Sequence, residues 1–152
     1  MKVISLLQPW ASLIAHGYKL IETRSWSTRH RGPIAIHASR SPRHTPETAD
    51  IFAAAGLEGH AKPFLEALSS WPLGKIIATA NLDDVVPVDA PHPRLIGMQF
   101  HESKFGDYSP GRFAWLLSNV KRLERPIERR GALSLWEVPD ELLKMDGSTT
   151  NA

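Results

Sequence analysis

Short apolar segments of strand length alternate with short helical stretches along the chain, and this alternation restricts the fold more than any other feature. Strands are predicted over residues 3–7, 20–26, 32–38, 74–86, 113–123 and 133–138. Helices are predicted from Gln8-Pro9-Trp10 to Gly17, over 45–56 and 61–68, and as a closing turn over 139–144. Strands with helices inserted between them predict an α+β fold, with the sheet arranged as a small barrel. The predicted core includes Leu6, Leu13, Ile14, Ile21, Ile34, Ile36, Ile77, Leu116 and Leu135.

The composition is that of one ordinary folded domain. Hydrophobic residues make up 42% and charged residues 22% of the 152 positions, which excludes a disordered chain and a coiled coil. We predict a single domain over residues 1–144 and a flexible polar tail over 145–152. The absence of cysteine excludes disulfides, thiolate zinc sites and a cysteine nucleophile. No apolar run approaches the roughly 20 residues that span a bilayer, so we expect a cytoplasmic monomer with no membrane contact, no metal and no cofactor.

Positive charge is concentrated at the start of the chain. The totals nearly balance, with 18 Lys and Arg against 16 Asp and Glu. Residues 1–45, however, hold seven basic residues and a single acidic one, Glu22. This distribution predicts one positive face of the kind that attracts phosphates. The alternative is a solvated surface on which charge is spread unevenly.

The most informative charges lie between Gly17 and Trp26. Side chains alternate between the two faces of a strand, so Glu22 and Arg24 share one face with Trp26, while Lys19 lies just before the strand, where a turn could bring it inward. Partly buried charges beside a tryptophan are costly unless they meet each other or a ligand. Two interpretations stay open: a Glu22–Arg24 ion pair that fixes the register, or a binding site.

Several motifs in this sequence occur together in a known family. The N-terminal ones are Gln-Pro-Trp-Ala-Ser-Leu at 8–13, Gly-x-Lys-x-x-Glu-x-Arg-Ser-Trp at 17–26, and Arg-Gly-Pro at 31–33 followed by Ile-His-Ala at 36–38. Further on, Phe-Gly-Asp-Tyr at 105–108, Gly-Arg-Phe-Ala-Trp at 111–115 and Gly-Ala-Leu-Ser-Leu-Trp-Glu-Val at 131–138 fit the bacterial members. The chain therefore resembles the ASCH family (activating-signal-cointegrator homology domains) from about Val3 to Pro139.

The resemblance implies a fold similar to the PUA domain, a small mixed β-barrel flanked by helices, with a cleft lined by the Gly-x-Lys-x-x-Glu-x-Arg segment. It also implies a partner that is RNA, single-stranded DNA or a nucleotide. Cationic side chains would neutralise phosphates and aromatic ones would stack on unpaired bases, with core packing as the alternative for each aromatic residue. The predicted nucleic-acid-binding residues are Gln8, Trp10, Lys19, Arg24, Trp26, Arg29, Arg31, His37, Tyr108 and Arg112.

An alternative function is hydrolysis of an N-acylated nucleoside or of RNA. Some relatives resemble deacylases thought to use a lysine, a threonine three residues later and a downstream carboxylate. Lys19 matches the lysine, but Glu22 stands where the threonine would be, so that mechanism cannot be carried over intact. The catalytic residues would then be Lys19, Glu22 and Arg24, with Glu22 as the base and Lys19 stabilising an oxyanion. A third alternative, a protein-interaction module, would need an exposed apolar patch.

Overall fold

The computed structural model describes residues 1–41, 48–57, 59 and 70–144. Within them, the strands are β1 (Lys2–Leu6), β2 (Ile21–Arg24), β3 (Gly32–Ala38), β4 (Lys75–Pro87), β5 (Phe113–Glu128) and β6 (Leu135–Glu137). The helices are α1 (Trp10–Ala15), α2 (Thr48–Ala54), α3 (Pro93–Ile96), α4 (Phe100–Ser103) and α5 (Asp140–Lys144). None of these helices is long and apolar enough to cross a membrane.

All six strands belong to one mixed sheet in the order β2-β5-β4-β3-β1-β6. Strands β1 and β3 run parallel, and the other neighbours are antiparallel. Three strands separate β1 from β2 in this order, yet Leu6 and Glu22 line the same cavity. The sheet therefore curls until its β2 edge approaches β1, and the resulting half-barrel with short helices around it confirms the predicted α+β class.

The core follows the two-residue period of the strands. Ile4 and Leu6 of β1 pack in the main cluster inside the curl, together with Ile34 and Ile36 of β3. The intervening Val3 packs in a second cluster on the other face of the sheet. Eight of the nine predicted core residues are at most 3% exposed, and Leu135 is half-buried. Apolar patterning therefore located the interior correctly.

The predicted element limits differ from the structure at several points. Strand β5 continues to Glu128, past the predicted end at residue 123, and β4 includes Pro87 rather than stopping before it. Helices α3 and α4 were not predicted because four residues are too few to show a helical period. The predicted helix over 61–68, the first residues of the helix over 45–56, and the tail over 145–152 lie outside the described residues.

Helix α4 fixes the segment that leads into β2. The Glu102 side chain is 7% exposed, and its two carboxylate oxygens accept hydrogen bonds from the backbone N–H of Leu20 at 2.9 Å and of Ile21 at 3.0 Å. Hydrogen bonds to a charged acceptor are among the stronger ones in proteins. This carboxylate therefore holds the helix-to-strand junction in place from a position some 80 residues further along the chain.

We predict that Glu102→Ala lowers the free energy of unfolding by about 2–4 kcal/mol, because two backbone N–H groups lose their acceptor. Urea denaturation followed by circular dichroism measures the change. Glu124→Ala serves as the matched control, since Glu124 is exposed on β5, and should change stability by less than about 0.5 kcal/mol. Equal effects of the two substitutions would contradict the assigned role of Glu102.

Candidate nucleic-acid interface

Two cavities share part of their walls where the sheet curls. The larger, the Ser5 cavity, has a volume of about 810 Å³, and the smaller, the Trp10 cavity, about 370 Å³. Leu7 and Arg24 line both, so the two cavities adjoin; together they are here called the groove. Its other lining residues include Ser5, His37, Arg40 and Arg130 in the Ser5 cavity, and Trp10, Glu22, Lys104, Asp107 and Arg112 in the Trp10 cavity.

Lys19, the first charged residue of the motif, is fully buried. Its Nζ donates hydrogen bonds to the backbone carbonyls of Ile21 at 2.6 Å and Phe105 at 2.5 Å, and it lies 5.6 Å from the centre of the Trp10 ring. All three ammonium donors thus have an acceptor or an aromatic face. The side chain joins β2 to the segment after α4, and a phosphate would have to displace one of these contacts to reach it.

Glu22 presents a carboxylate oxygen to the Trp10 cavity. The residue is 8% exposed, and Oε1 accepts a hydrogen bond from the Thr23 backbone N–H at 2.9 Å. Oε2 is buried and has no hydrogen-bond partner in the described part of the chain. A buried carboxylate oxygen without a donor is costly, so a ligand donor that reaches Oε2 through a shift of the cavity wall would stabilise it.

Tyr108 also carries a buried hydroxyl without a partner among the described residues. Burial first, and then the carboxylates of Glu102 and Glu22, raise the pKa of the Tyr108 phenol well above its usual value. The group therefore stays neutral and can donate a proton in a hydrogen bond. Tyr108 does not line either cavity of the groove, so its predicted stacking role would require rearrangement.

Arg24 does not pair with Glu22, which corrects the first of the two interpretations of the motif. Neither an ion pair nor a hydrogen bond joins the Arg24 side chain to any residue that the structure describes; its guanidinium lies 5.6 Å from the Trp26 ring. The two residues also differ in burial: Glu22 is 8% exposed and its carboxylate accepts from the Thr23 backbone N–H, whereas Arg24 is half-exposed and lines both cavities.

Arg112, one of the predicted binding residues, lines the Trp10 cavity. Its Nε donates to the Asp107 backbone carbonyl at 3.1 Å and lies 3.5 Å from the Asp107 carboxylate. Hydrogen bonds from Ser109, with a smaller contribution from Arg112, lower the pKa of Asp107. The Asp107 backbone N–H in turn donates to Thr23 Oγ1 at 2.9 Å, so this wall of the cavity is tied to β2.

Besides Lys19 and Tyr108, four more of the ten predicted binding residues line neither cavity: Gln8, Trp26, Arg29 and Arg31. Gln8 is buried, accepting from the Ser12 backbone N–H and donating to the Pro72 carbonyl. Trp26 packs edge-on against the core residue Trp115, with the ring centres 4.7 Å apart. Arg29 is exposed on the connection between β2 and β3, and Arg31 on the same connection is paired with Asp84 at 2.9 Å.

His37 lies in the wall of the Ser5 cavity but is only 1% exposed. Its ring contacts Ser5 Oγ at 3.0 Å through Nδ1 and the Arg129 backbone carbonyl at 2.9 Å through Nε2. Burial lowers the pKa of His37, the Arg129 hydrogen bond opposes this effect, and the charge of Arg40 adds to it. A neutral ring is therefore favoured near pH 7.

Most residues that line the groove were not predicted as site residues, among them Ser5, Arg40, Lys104, Asp107 and Arg130. Arg40 lies two residues after the end of β3, and Arg130 belongs to a basic pair after β5, so charge near strand ends was the available signal. No group of three His, Asp or Glu side chains able to hold a metal ion occurs over residues 1–41, 48–57 and 70–144.

Comparison with known proteins relates the chain to one family. The family model for the ASCH domain matches residues 4–127. Among curated proteins, the chain is similar to Activating signal cointegrator 1 from Homo sapiens, 25% identical over 139 residues, and from Mus musculus, 28% identical over 142 residues. Each alignment covers 91% of this chain and 22% of the relative, so the chain spans about a fifth of the length of these proteins.

A solved structure shows the same architecture. The chain is similar to ASCH from Zymomonas mobilis, with a TM-score of 0.57 and 20% identity, over 99% of this chain and 95% of that one. At this identity the likeness concerns the fold alone, and it confirms the expected PUA-like arrangement.

We predict that His37 titrates below 6.5, its usual pKa, when followed by NMR of its ring protons. Because the folded state disfavours the protonated ring, its contribution to stability is complete above pH 6.5 and is lost as the pH falls toward the pKa of the folded state. The charge of Arg40, which lines the same cavity as Arg24 and Arg130, acts in the same direction. His37→Gln should remove this part of the pH dependence; a wild-type pKa at or above 6.5 would contradict the prediction.

Proposed function

The chain belongs to the ASCH domain family, and from that premise we propose that its groove binds single-stranded nucleic acid, RNA or DNA, with Arg24 at the centre of the phosphate path. The observation that carries the proposal is the position of Arg24, which lines both cavities and has no carboxylate partner among the described residues. An arginine at the junction of two connected cavities suits a backbone that passes from one to the other.

Positive charge dominates the walls of the groove. Two of its cations are already engaged: Arg112 with Asp107 at 3.5 Å and Arg40 with Glu128 at 3.2 Å. The latter pair is mostly exposed, so it contributes little and a phosphate can replace the glutamate. The cationic lining residues are Arg24, Arg40, Lys104, Arg112 and Arg130, and the acidic ones are Glu22 and Asp107.

The Trp10 cavity suits one unstacked base. Trp10 offers an aromatic surface for stacking. Glu22 lines the same cavity, and its buried, unpartnered Oε2 can accept a hydrogen bond from an amino or imino group of a base once the wall shifts to admit it. A recessed cavity of about 370 Å³ takes in a base that has left its stack, whereas the paired bases of a duplex cannot enter it. Lys19 supports this site from behind by holding its walls together.

We predict that Arg24→Ala weakens binding of a short fluorescein-labelled single-stranded oligonucleotide by about 1–3 kcal/mol, because one charge-assisted phosphate contact is lost. With three to five phosphate contacts, the slope of log affinity against log salt should be roughly −2 to −4 for the wild type, and shallower by about 0.7 in the variant. Fluorescence anisotropy at several salt concentrations measures both quantities.

Arg122→Ala is the matched control, because Arg122 is exposed on β5 and lies outside the groove. It should leave the affinity within about 0.5 kcal/mol of the wild type. Thermal unfolding checks that both variants remain folded. No binding to any oligonucleotide at low salt, or equal losses in the two variants, would overturn the proposal.

A hydrolase is the second candidate function, and the unpartnered Oε2 of Glu22 favours it. A buried carboxylate facing a cavity can act as a general base toward a water molecule. Such an enzyme would cleave an N-acylated nucleoside or RNA held in the Trp10 cavity, close to the charges of Lys19 and Arg24.

The substitution Glu22→Gln distinguishes the two functions. For a binding protein we expect altered base preference and no turnover by the wild type, because the carboxylate only accepts a hydrogen bond. For a hydrolase, the substitution should abolish wild-type turnover while leaving affinity nearly intact. Chromatography of an acylated nucleoside and of an RNA oligonucleotide after incubation measures turnover, and we expect none.

A further inference from the structure

The Ser5 cavity contains a hydrogen-bonded serine–histidine pair that the proposed binding function does not use. The parallel register of β1 and β3 places Ser5 directly opposite His37, so both side chains lie on the same face of the sheet. Ser5 Oγ and His37 Nδ1 are 3.0 Å apart. Both residues line the cavity, with Ser5 half-buried and His37 beneath it.

The neighbouring groups determine which atoms of the Ser5–His37 pair carry the protons. A carbonyl oxygen can only accept, so the contact between the Arg129 carbonyl and His37 Nε2 places a proton on Nε2. In the neutral ring Nδ1 is then an acceptor, and the Ser5 hydroxyl donates to it. The Trp136 indole N–H donates to Ser5 Oγ at 3.1 Å, so one lone pair of that oxygen is left for another contact.

We infer that Ser5 is a nucleophile activated by His37 as general base, with the Arg129 carbonyl orienting the ring. A nucleophile in hydrogen-bond contact with a base, and a third group orienting that base, form the arrangement that nucleophilic catalysis requires. Gly131 leaves room for the Ser5–His37 pair, because a Cβ at position 131 would lie 2.7 Å from His37 Cε1 and 2.8 Å from Ser5 Oγ. Any other residue there would displace the pair.

The substrate class follows from the charge around the pair. Arg24, Arg40 and Arg130 line the same cavity, so a substrate with a negatively charged group is favoured. Guanidinium groups also stabilise the negative charge that develops on a carbonyl oxygen under attack. The chemistry that fits is hydrolysis of a carboxylic ester whose acyl part carries an anionic group.

The reaction balances with water as the only co-reactant. Ser5 Oγ attacks the ester carbon while its proton passes to His37 Nδ1; the bond to the alcohol oxygen then breaks, and the alcohol leaves with that proton. Water attacks the acyl-serine, giving its proton to His37, which returns a proton to Ser5 Oγ as the carboxylic acid departs. The products are one acid and one alcohol, and the protein is regenerated.

The test uses the whole chain, a fluorophosphonate probe and two 4-nitrophenyl esters, without any oligonucleotide. Peptide mass spectrometry of the wild type should locate the probe on Ser5. His37→Gln should slow labelling by at least about 100-fold, the usual size of a general-base effect. Ser39→Ala is the control: Ser39 lines the same cavity, and this variant should be labelled on Ser5 at the wild-type rate.

The two esters test the substrate class. The 4-nitrophenyl hemisuccinate should be hydrolysed with a kcat/KM at least tenfold above that of 4-nitrophenyl acetate, and Arg130→Ala should remove this preference.

Several results would overturn the inference. No adduct on the wild type, an adduct on a residue other than Ser5, or unchanged labelling of folded His37→Gln would exclude an activated Ser5. Equal rates for the two esters would exclude the anionic substrate class. If His37→Gln does not fold, the wild type decides: Ser5 must label at least tenfold faster than Ser39 and Ser134 in the same cavity. If the wild type is labelled at Ser5 but binds no oligonucleotide at low salt, the binding proposal is contradicted and the inference about Ser5 stands.

Discussion

The buried ammonium of Lys19 is the interaction on which the groove depends. Burying a cation costs several kcal/mol unless its donors are satisfied, and here two backbone carbonyls and the Trp10 ring surround it. One of those carbonyls belongs to Phe105, 86 residues further along the chain. Glu102 connects the same two segments in the opposite sense, because its carboxylate accepts hydrogen bonds from the backbone N–H groups of Leu20 and Ile21. These two charges hold the walls of the Trp10 cavity together.

The curled sheet then places chemically different groups along one depression. Arg24 lines both cavities, Glu22 lines the smaller one, and the Ser5–His37 pair lines the larger one. On the two proposals made above, the Trp10 cavity would recognise a base edge, and the Ser5 cavity would hold an anionic group, either a phosphate of the bound strand or the acyl part of an ester. A shared arginine links the two, so a ligand in one cavity changes the electrostatic field in the other.

The two-residue spacing of apolar side chains predicted the fold well because the face of a strand that is buried is set by local sequence. Ile34 and Ile36, for example, are two residues apart and lie in one core cluster. The partners of the charges were not predictable in the same way. The two-residue spacing allowed an ion pair between Glu22 and Arg24. In the structure the two do not pair: Glu22 lines the Trp10 cavity, and Arg24 lines both cavities. Lys19 was expected at the ligand and is bonded to backbone carbonyls instead. Its partner at Phe105 arises from tertiary packing, which leaves no periodic signal in the sequence.

The central claim is that nucleic acid occupies the groove on both sides of Arg24. Titration of the isotopically labelled protein with a single-stranded oligonucleotide, followed by NMR chemical shifts, tests it most directly. The account predicts shifts at Leu7, the Trp10 indole N–H and Arg24, extending to Arg40 and Arg112, which line the groove. Shifts confined to the separate cavity lined by Arg94, Gly97 and His101, with the groove unaffected, would contradict it.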